Sequence, residues 1–198
     1  VRQSIALAHA KANARGIVLI TQSASSGKET EVAVKAEYPS VEVLTLTADI
    51  TDESAISETF KTIEQTLGVP HILVNNAGVF SSVESIDKAD PKVWWKDFEI
   101  NVRGTYLFTA AYLRHVSGNN TVQPTIVNLI SSIGLTPPGL SSYFMSKLAV
   151  AKFTEFIAAE QPSIVAYSLS PGIVPTSMTL DSFKPFAKDT RKSHIHQL

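Results

Sequence analysis

His71-Ile72-Leu73-Val74-Asn75-Asn76-Ala77-Gly78 is the stretch that decides the fold. An unbroken aliphatic run passes directly into two amides, a small residue and a glycine. Continuous apolar runs of this kind mark strands buried on both faces, as in a parallel sheet covered by helices. The residues after the run carry the chemistry. Small residues let a backbone approach a flat ligand, and asparagine amides can tie neighbouring strand ends together. The tetrad from Asn75 to Gly78 arises by chance on the order of once in several hundred chains of this length, which leaves a plain Asn-Gly turn the weaker reading.

Outward from this stretch, residues 17–21, 41–47, 126–130 and 164–169 are further runs rich in Val, Ile and Leu. Between them lie helical patterns. Residues 2–13 place Ile5, Ala8 and Ala12 on one helical face, and Ala149, Phe153, Phe156 and Ile157 do the same later. Strand and helix alternating in this way predict an α/β fold, a doubly wound parallel sheet with helices on both faces. No repeat, low-complexity segment or linker divides residues 1–198, so they are read as a single domain. Trp94, Trp95, Phe98, Tyr106, Phe108 and Tyr112 are expected in the core or at subunit contacts rather than stacked on a ligand.

Composition excludes several functions. Lys plus Arg number 17 against 18 Asp plus Glu, a balance without the clustered positive charge that nucleic acid or anionic membrane rewards. No apolar run approaches the ~20 residues that span a bilayer. The start at Val1 shows no signal-peptide pattern, and with no cysteine there is neither disulfide nor thiolate chemistry. A cytoplasmic location is the expectation.

Tyr143 and Lys147 open a helix after the turn-prone Pro137-Pro138-Gly139, one helical turn apart and on one face. Hydride transfer at a carbon bearing oxygen needs a proton donor or acceptor at that oxygen. A free phenol, with pKa of roughly 10, is poorly matched to that task at neutral pH. A lysine ammonium about 4 Å away supplies about 4 kcal/mol at an effective dielectric near 20, enough to lower the phenol by about 3 units. Upstream, the run 126–130 ends in Ser131-Ser132-Ile133-Gly134, which puts a hydroxyl at a strand's C-terminal edge, where open α/β sheets bind ligands.

Taken together, these motifs make the chain similar to the classical short-chain dehydrogenase/reductase family, over almost its whole length and in the right order. The family's Asn-Asn-Ala-Gly is Asn75 to Gly78, and its Asn-Val-x-Gly is Asn101-Val102-Arg103-Gly104. Its Tyr-x-x-x-Lys is Tyr143 and Lys147, and its Pro-Gly motif is Pro171-Gly172-Ile173-Val174-Pro175-Thr176. The resemblance implies an NAD(P)-binding Rossmann-type domain and an oxidoreductase that interconverts a small-molecule alcohol and carbonyl. It implies Tyr143 as general acid or base, Lys147 lowering its pKa and binding the nicotinamide ribose, and Ser132 polarising the substrate carbonyl. Ser132 lies about two residues closer to Tyr143 than the family spacing, so Ser131 stays open as the alternative. Asn101 would hold a water relay to Lys147. Asp49 and Ile50 would sit at the adenine, Asn75, Ala77 and Gly78 along the cofactor, and Pro171, Gly172, Val174 and Thr176 at the nicotinamide. Family members form homodimers or homotetramers, which is the expected assembly here.

The chain also departs from the pattern. Ser4-Ile5-Ala6-Leu7-Ala8 reads as the helix that ordinarily follows a first strand and glycine-rich turn, so both are expected to be missing. In the strand order 3-2-1-4-5-6 the first strand is central, and without it the runs at Ile17 and Ile72 lose their shared neighbour. Towards the C-terminus Met178, Leu180, Phe183 and Phe186 fit a substrate-covering loop, the end reads as a frayed polar tail, and His194 with His196 lacks a third metal ligand. After residues 17–21, Gln22-Ser23-Ala24-Ser25 carries no acid, with Lys28 further on, which leans from NAD toward NADP. The rival reading is a catalytically impaired, fold-only relative that acts as an interaction or structural partner.

Overall fold

A computed structural model describes residues 1–118, 123–132, 134–172 and 174. The chain runs through α1 (Arg2–Lys11), β1 (Gly16–Thr21), α2 (Ala24–Glu37), β2 (Glu42–Thr47), α3 (Glu53–Leu67) and β3 (Ile72–Asn75). Next come α4 (Pro91–Phe98), a π-helical turn (Glu99–Gly104) and α5 (Thr105–Val116), then β4 (Thr125–Leu129), α6 (Ser141–Glu160) and β5 (Val165–Leu169). The strands fall where the apolar runs predict, with ends shifted by a single residue. Ile133, Ile173, Pro175, Thr176, the loop with Met178, Leu180, Phe183 and Phe186, and the tail with His194 and His196 lie outside the described residues.

Every strand pair is parallel, β1 with β2, β3 with β4, and β4 with β5. Among the described residues the strands form two sheets, β1–β2 and β3–β4–β5. The break falls between β1 and β3, the pair expected to lose their shared neighbour. Both border one cavity of about 1230 Å³. Each therefore turns an unpaired edge toward the same gap.

Helices hold the two sheets together. One buried cluster joins Ile56, Phe60 and Ile63 of α3 to Phe108, Ala111, Tyr112 and Val116 of α5 and to Ile126 of β4. Val18 and Ile20 of β1, Leu44 and Leu46 of β2 and Leu73 of β3 all pack on it. The alternate residues of β1 and β2 point the other way: Ile17, Leu19 and Val43 meet α1 and α2 through Ala6, Ala10 and Val34. A strand with both faces covered has to be apolar at successive positions, and that is the pattern of the sequence. Burying a Phe such as Phe60 contributes about 2–3 kcal/mol by area.

Two Asp residues start the helices nearest the site. Asp52 caps α3 by accepting from Ser54 N and Ala55 N, and Asp90 caps α4 from Lys92 N and Val93 N with Pro91 in the first turn. Phe108 and Tyr112 are buried, while Trp95 and Tyr106 stay exposed on the outer face. Tyr112 donates to His71 O at 2.6 Å, and burial pushes its phenol up to about 12.

Candidate active site

The strands β3 and β4 end side by side, and their side chains are tied in one polar chain. Asn75 and Asn128 are register partners. The Asn75 amide donates to Asn128 Oδ1 at 2.8 Å and to Thr109 Oγ1 of α5 at 3.0 Å. Asn128, fully buried, passes its own amide to Thr154 Oγ1 of α6 at 2.9 Å. Two helices are thereby fixed to the strand ends. The asparagine does tie strands, as its position in the sequence suggests, and it also borders the cavity together with Ala77 and Gly78.

Asn101 sits on the π-helical turn and is also fully buried. Its Oδ1 accepts from Val79 N at 2.7 Å, and its amide donates to Val79 O at 3.0 Å and Ser146 Oγ at 2.9 Å. One amide hydrogen thus holds the loop after β3, and the other ties the π-helical turn to α6. The clamp brings Gly78 close: a Cβ there would lie 3.1 Å from Asn101 Oδ1 and 3.3 Å from Lys147 Nζ. Gly104, at the end of the same turn, is tighter still, since a Cβ would lie 2.6 Å from Ile50 Cδ1. Glycine is needed at both for close approach.

Tyr143 and Lys147 lie on the first turns of α6, one turn apart, and both border the cavity. Lys147 is buried, donates to Leu129 O at 2.8 Å, and stands 6.0 Å from the centre of the Tyr143 ring. Burial pushes its ammonium down to about 8, against an opposing pull from the Asp97 carboxylate. Burial likewise pushes the Tyr143 phenol up; a hydrogen bond from Ser131 pulls down, and Asp97 adds to the rise. The expected lowering of the phenol by Lys147 is therefore reversed. Loss of water dominates at the phenol, while one N–H of the ammonium is held by the Leu129 carbonyl.

The hydroxyl that meets Tyr143 belongs to Ser131. Ser132, the first choice from sequence, is exposed. The Phe80 ring, 5.0 Å from that of Tyr143, closes the other side.

The remaining candidates are more dispersed. Ile50 borders the cavity, but Asp49 is exposed and closes a turn by accepting from Thr51 N at 2.8 Å and Thr51 Oγ1 at 2.7 Å. Pro171 borders the cavity as well, and Gly172 adopts φ +72 beside it. Val174 is partly buried, and Thr176 lies outside the described residues. Sequence reasoning passed over Asp97, Ser142 and Ser146. A carboxylate four residues before Asn101, inside the aromatic run, was the available signal, since it shares a helix face with that buried amide.

A parallel sheet with a tyrosine and a lysine together at the edge of its cavity can be set beside known proteins. A family model described as short chain dehydrogenase matches residues 3–185. The short chain dehydrogenase mpl6 of Monascus purpureus is 37% identical over 180 residues, 87% of this chain and 61% of that protein. The short chain dehydrogenase andI of Emericella variicolor is 34% identical over 200 residues, 96% of this chain and 68% of that protein. Among solved structures, NAD+-bound xylitol dehydrogenase superposes with a TM-score of 0.85 at 26% identity, over 95% of this chain and 73% of its own. Levodione reductase gives a TM-score of 0.87 at 24% identity, a likeness of fold, over 96% of this chain and 74% of its own. The chain spans 61% of the first of these relatives. Matched from residue 3 to residue 185, it belongs to the short-chain dehydrogenase/reductase family of oxidoreductases.

Proposed function

We infer that the protein is an NAD(P)-dependent oxidoreductase that interconverts a small-molecule alcohol and carbonyl by hydride transfer, with Tyr143 as general acid or base. One observation carries the reading: Tyr143 and Lys147 border a single cavity together, and the Ser131 hydroxyl bonds to the Tyr143 phenol. The rival, fold-only reading accounts for no part of that arrangement.

The site suits a nicotinamide cofactor at its chemical end. Gly78 leaves space that any Cβ would fill, and Lys147 provides a donor beside it. A bound cofactor supplies or accepts the hydride. The chain's own residues handle the proton and the geometry. With its phenol above the ordinary range, Tyr143 is protonated at neutral pH and donates to a carbonyl oxygen, the reductive direction. Ser131 orients that oxygen by a hydrogen bond. Lys147, with a midpoint of about 8, exchanges protons within reach of neutral pH and replenishes the phenol. Asn101 holds the loop through Val79, so that Gly78 stays against the lysine. Ile50, Ala77, Gly78 and Pro171 would line the rest of the cofactor's path through this one domain.

A preference for NADP is part of the reading. Gln22, Ser23 and Ser26 border the cavity after β1 and bring no carboxylate, while Lys28 is engaged with Glu31 at 3.0 Å. So is assembly into a homodimer or homotetramer. Tyr106 of α5 and Leu148 and Phe156 of α6 present exposed apolar side chains. No helix among the described residues is long and apolar enough to cross a membrane. A cytoplasmic setting belongs to the same reading.

Fluorescence titration with NADPH and NADH, followed by turnover of a carbonyl panel, tests the proposal. Tyr143→Phe is expected to lower kcat/KM by about 10²–10⁴-fold while cofactor affinity changes little. Unchanged turnover in that variant removes the tyrosine mechanism, and failure to bind either nucleotide removes the activity as a whole.

A further inference from the structure

Asp97 is fully buried on α4 and forms no ion pair among the described residues. A buried carboxylate is expensive to desolvate unless its oxygens are well satisfied. Here each oxygen has one donor, and the two donors come from different elements. Oδ1 accepts from Ser81 N at 2.9 Å, and Oδ2 accepts from Ser142 Oγ at 2.6 Å. Ser81 follows Phe80, whose ring packs against Tyr143. Ser142 immediately precedes Tyr143. One turn earlier on α4, Trp94 Nε1 donates to Ser141 Oγ at 2.9 Å, a second stitch between the same two helices.

We propose that Asp97 is a positioning residue for the Tyr143–Lys147 pair: its carboxylate locks the start of α6 to the loop carrying Phe80 and sets the orientation of the Tyr143 ring. This rests on the oxidoreductase reading for its purpose, though not for its geometry. Hydrogen bonds to a charged acceptor are stronger than neutral ones, and those to a buried one are the least replaceable by water.

The carboxylate also acts through its charge. α6 presents Ser142, Tyr143 and Lys147 toward it, and the loop presents the Ser81 N–H. On the π-helical turn Arg103 is held by Glu99 at 2.9 Å and by Glu53 at 3.2 Å, and Lys92 and Lys96 of its own helix are exposed. The negative charge thus favours the protonated forms of both Tyr143 and Lys147.

Asp97→Asn and Asp97→Ala separate the two effects. Asparagine keeps an acceptor for Ser81 N and can donate to Ser142 Oγ, so it removes charge and retains the lock. Alanine removes both. Aromatic NOEs between Phe80 and Tyr143 are expected to persist in Asp97→Asn and to be lost in Asp97→Ala. Should the alanine variant fail to fold, Ser142→Ala, which cuts only the α6 arm, is expected to weaken the same NOEs. NMR titration of the Lys147 side chain is expected to find its midpoint in Asp97→Asn lower than in the parent by about half a pH unit or more. An unaltered Phe80–Tyr143 contact in both Asp97→Ala and Ser142→Ala, or an unmoved Lys147 midpoint in Asp97→Asn, overturns the proposal. Neither readout needs turnover. A parent protein without activity therefore refutes the proposed reaction while these spectra still decide the role of Asp97.

Discussion

The two halves of the sheet are held by different forces. In β3–β4–β5 the strand ends are cross-linked by Asn75, Asn128, Thr109 and Thr154, and the loop beyond is clamped by Asn101. In β1–β2 the two strands pair with each other and lean on helices mainly through aliphatic side chains, with Thr45 Oγ1 of β2 donating to Glu31 Oε2 of α2 at 3.0 Å. Directional bonds specify where atoms sit, whereas apolar contact specifies only that surfaces meet. The half that carries Tyr143 and Lys147 is thus fixed mainly by hydrogen bonds, and the other half is docked onto it by the apolar faces of α3 and α5, with Arg103 adding a bond to Thr51 O at 2.8 Å.

The largest way to break that contrast is to remove the docking residue. Phe60 is almost fully buried, and its ring lies 5.7 Å from that of Phe108 across the α3–α5 contact. Phe60→Ala is expected to cost about 3–5 kcal/mol. Hydrogen exchange should show β1 and β2 losing protection ahead of β3 to β5. Uniform loss across both halves contradicts the contrast.

Lys147→Met has the next largest effect, and its sign depends on pH. The lysine falls from an ordinary 10.5 to about 8 in the folded protein. Between those values the unfolded chain binds the extra proton, so stability rises with pH across the window. Methionine has no such dependence, and Tyr143 is common to both proteins. Across that window the parent should gain on the variant by on the order of 3 kcal/mol. Urea unfolding of both proteins at pH 7 and pH 10 measures it, and a gap that stays constant with pH contradicts the burial of the ammonium. Asn128→Ala, which takes one acceptor from the Asn75 amide and the donor to Thr154 Oγ1, is expected to cost about 1–3 kcal/mol and to loosen α6 rather than β1.

Much of this was legible in the chain itself. Uninterrupted apolar runs mark strands covered on both faces, and so gave the strand positions and the parallel sheet. The pair Tyr143 and Lys147 was readable from helical spacing. Three things were not. That Ser131 bonds to Tyr143 while Ser132 is exposed depends on how the chain turns beyond β4, and adjacent serines look alike in a sequence. The upward push on the Tyr143 phenol depends on burial, and spacing along a helix does not report burial. Asp97 was hidden because a charged residue on an aromatic helix reads as surface until its two donors, Ser81 and Ser142, are brought to it from distant positions.

The smallest expected effect tests whether Asp49 belongs to the scaffold or to the ligand. Its Oδ1 takes both hydrogen bonds from Thr51, and the side chain is otherwise exposed at the end of β2. An asparagine can present the same oxygen to the same donors. Asp49→Asn is therefore expected to change stability by less than about 0.5 kcal/mol, and Asp49→Ala to cost about 1 kcal/mol. If the residue only closes the turn, NADPH affinity in the two variants follows the same order as stability, with asparagine close to the parent. A carboxylate that meets the adenine directly breaks that order, because asparagine then keeps the turn and loses the ligand. Comparing melting temperature with NADPH affinity across the parent and both variants separates the two roles, since only a direct contact moves affinity without moving stability.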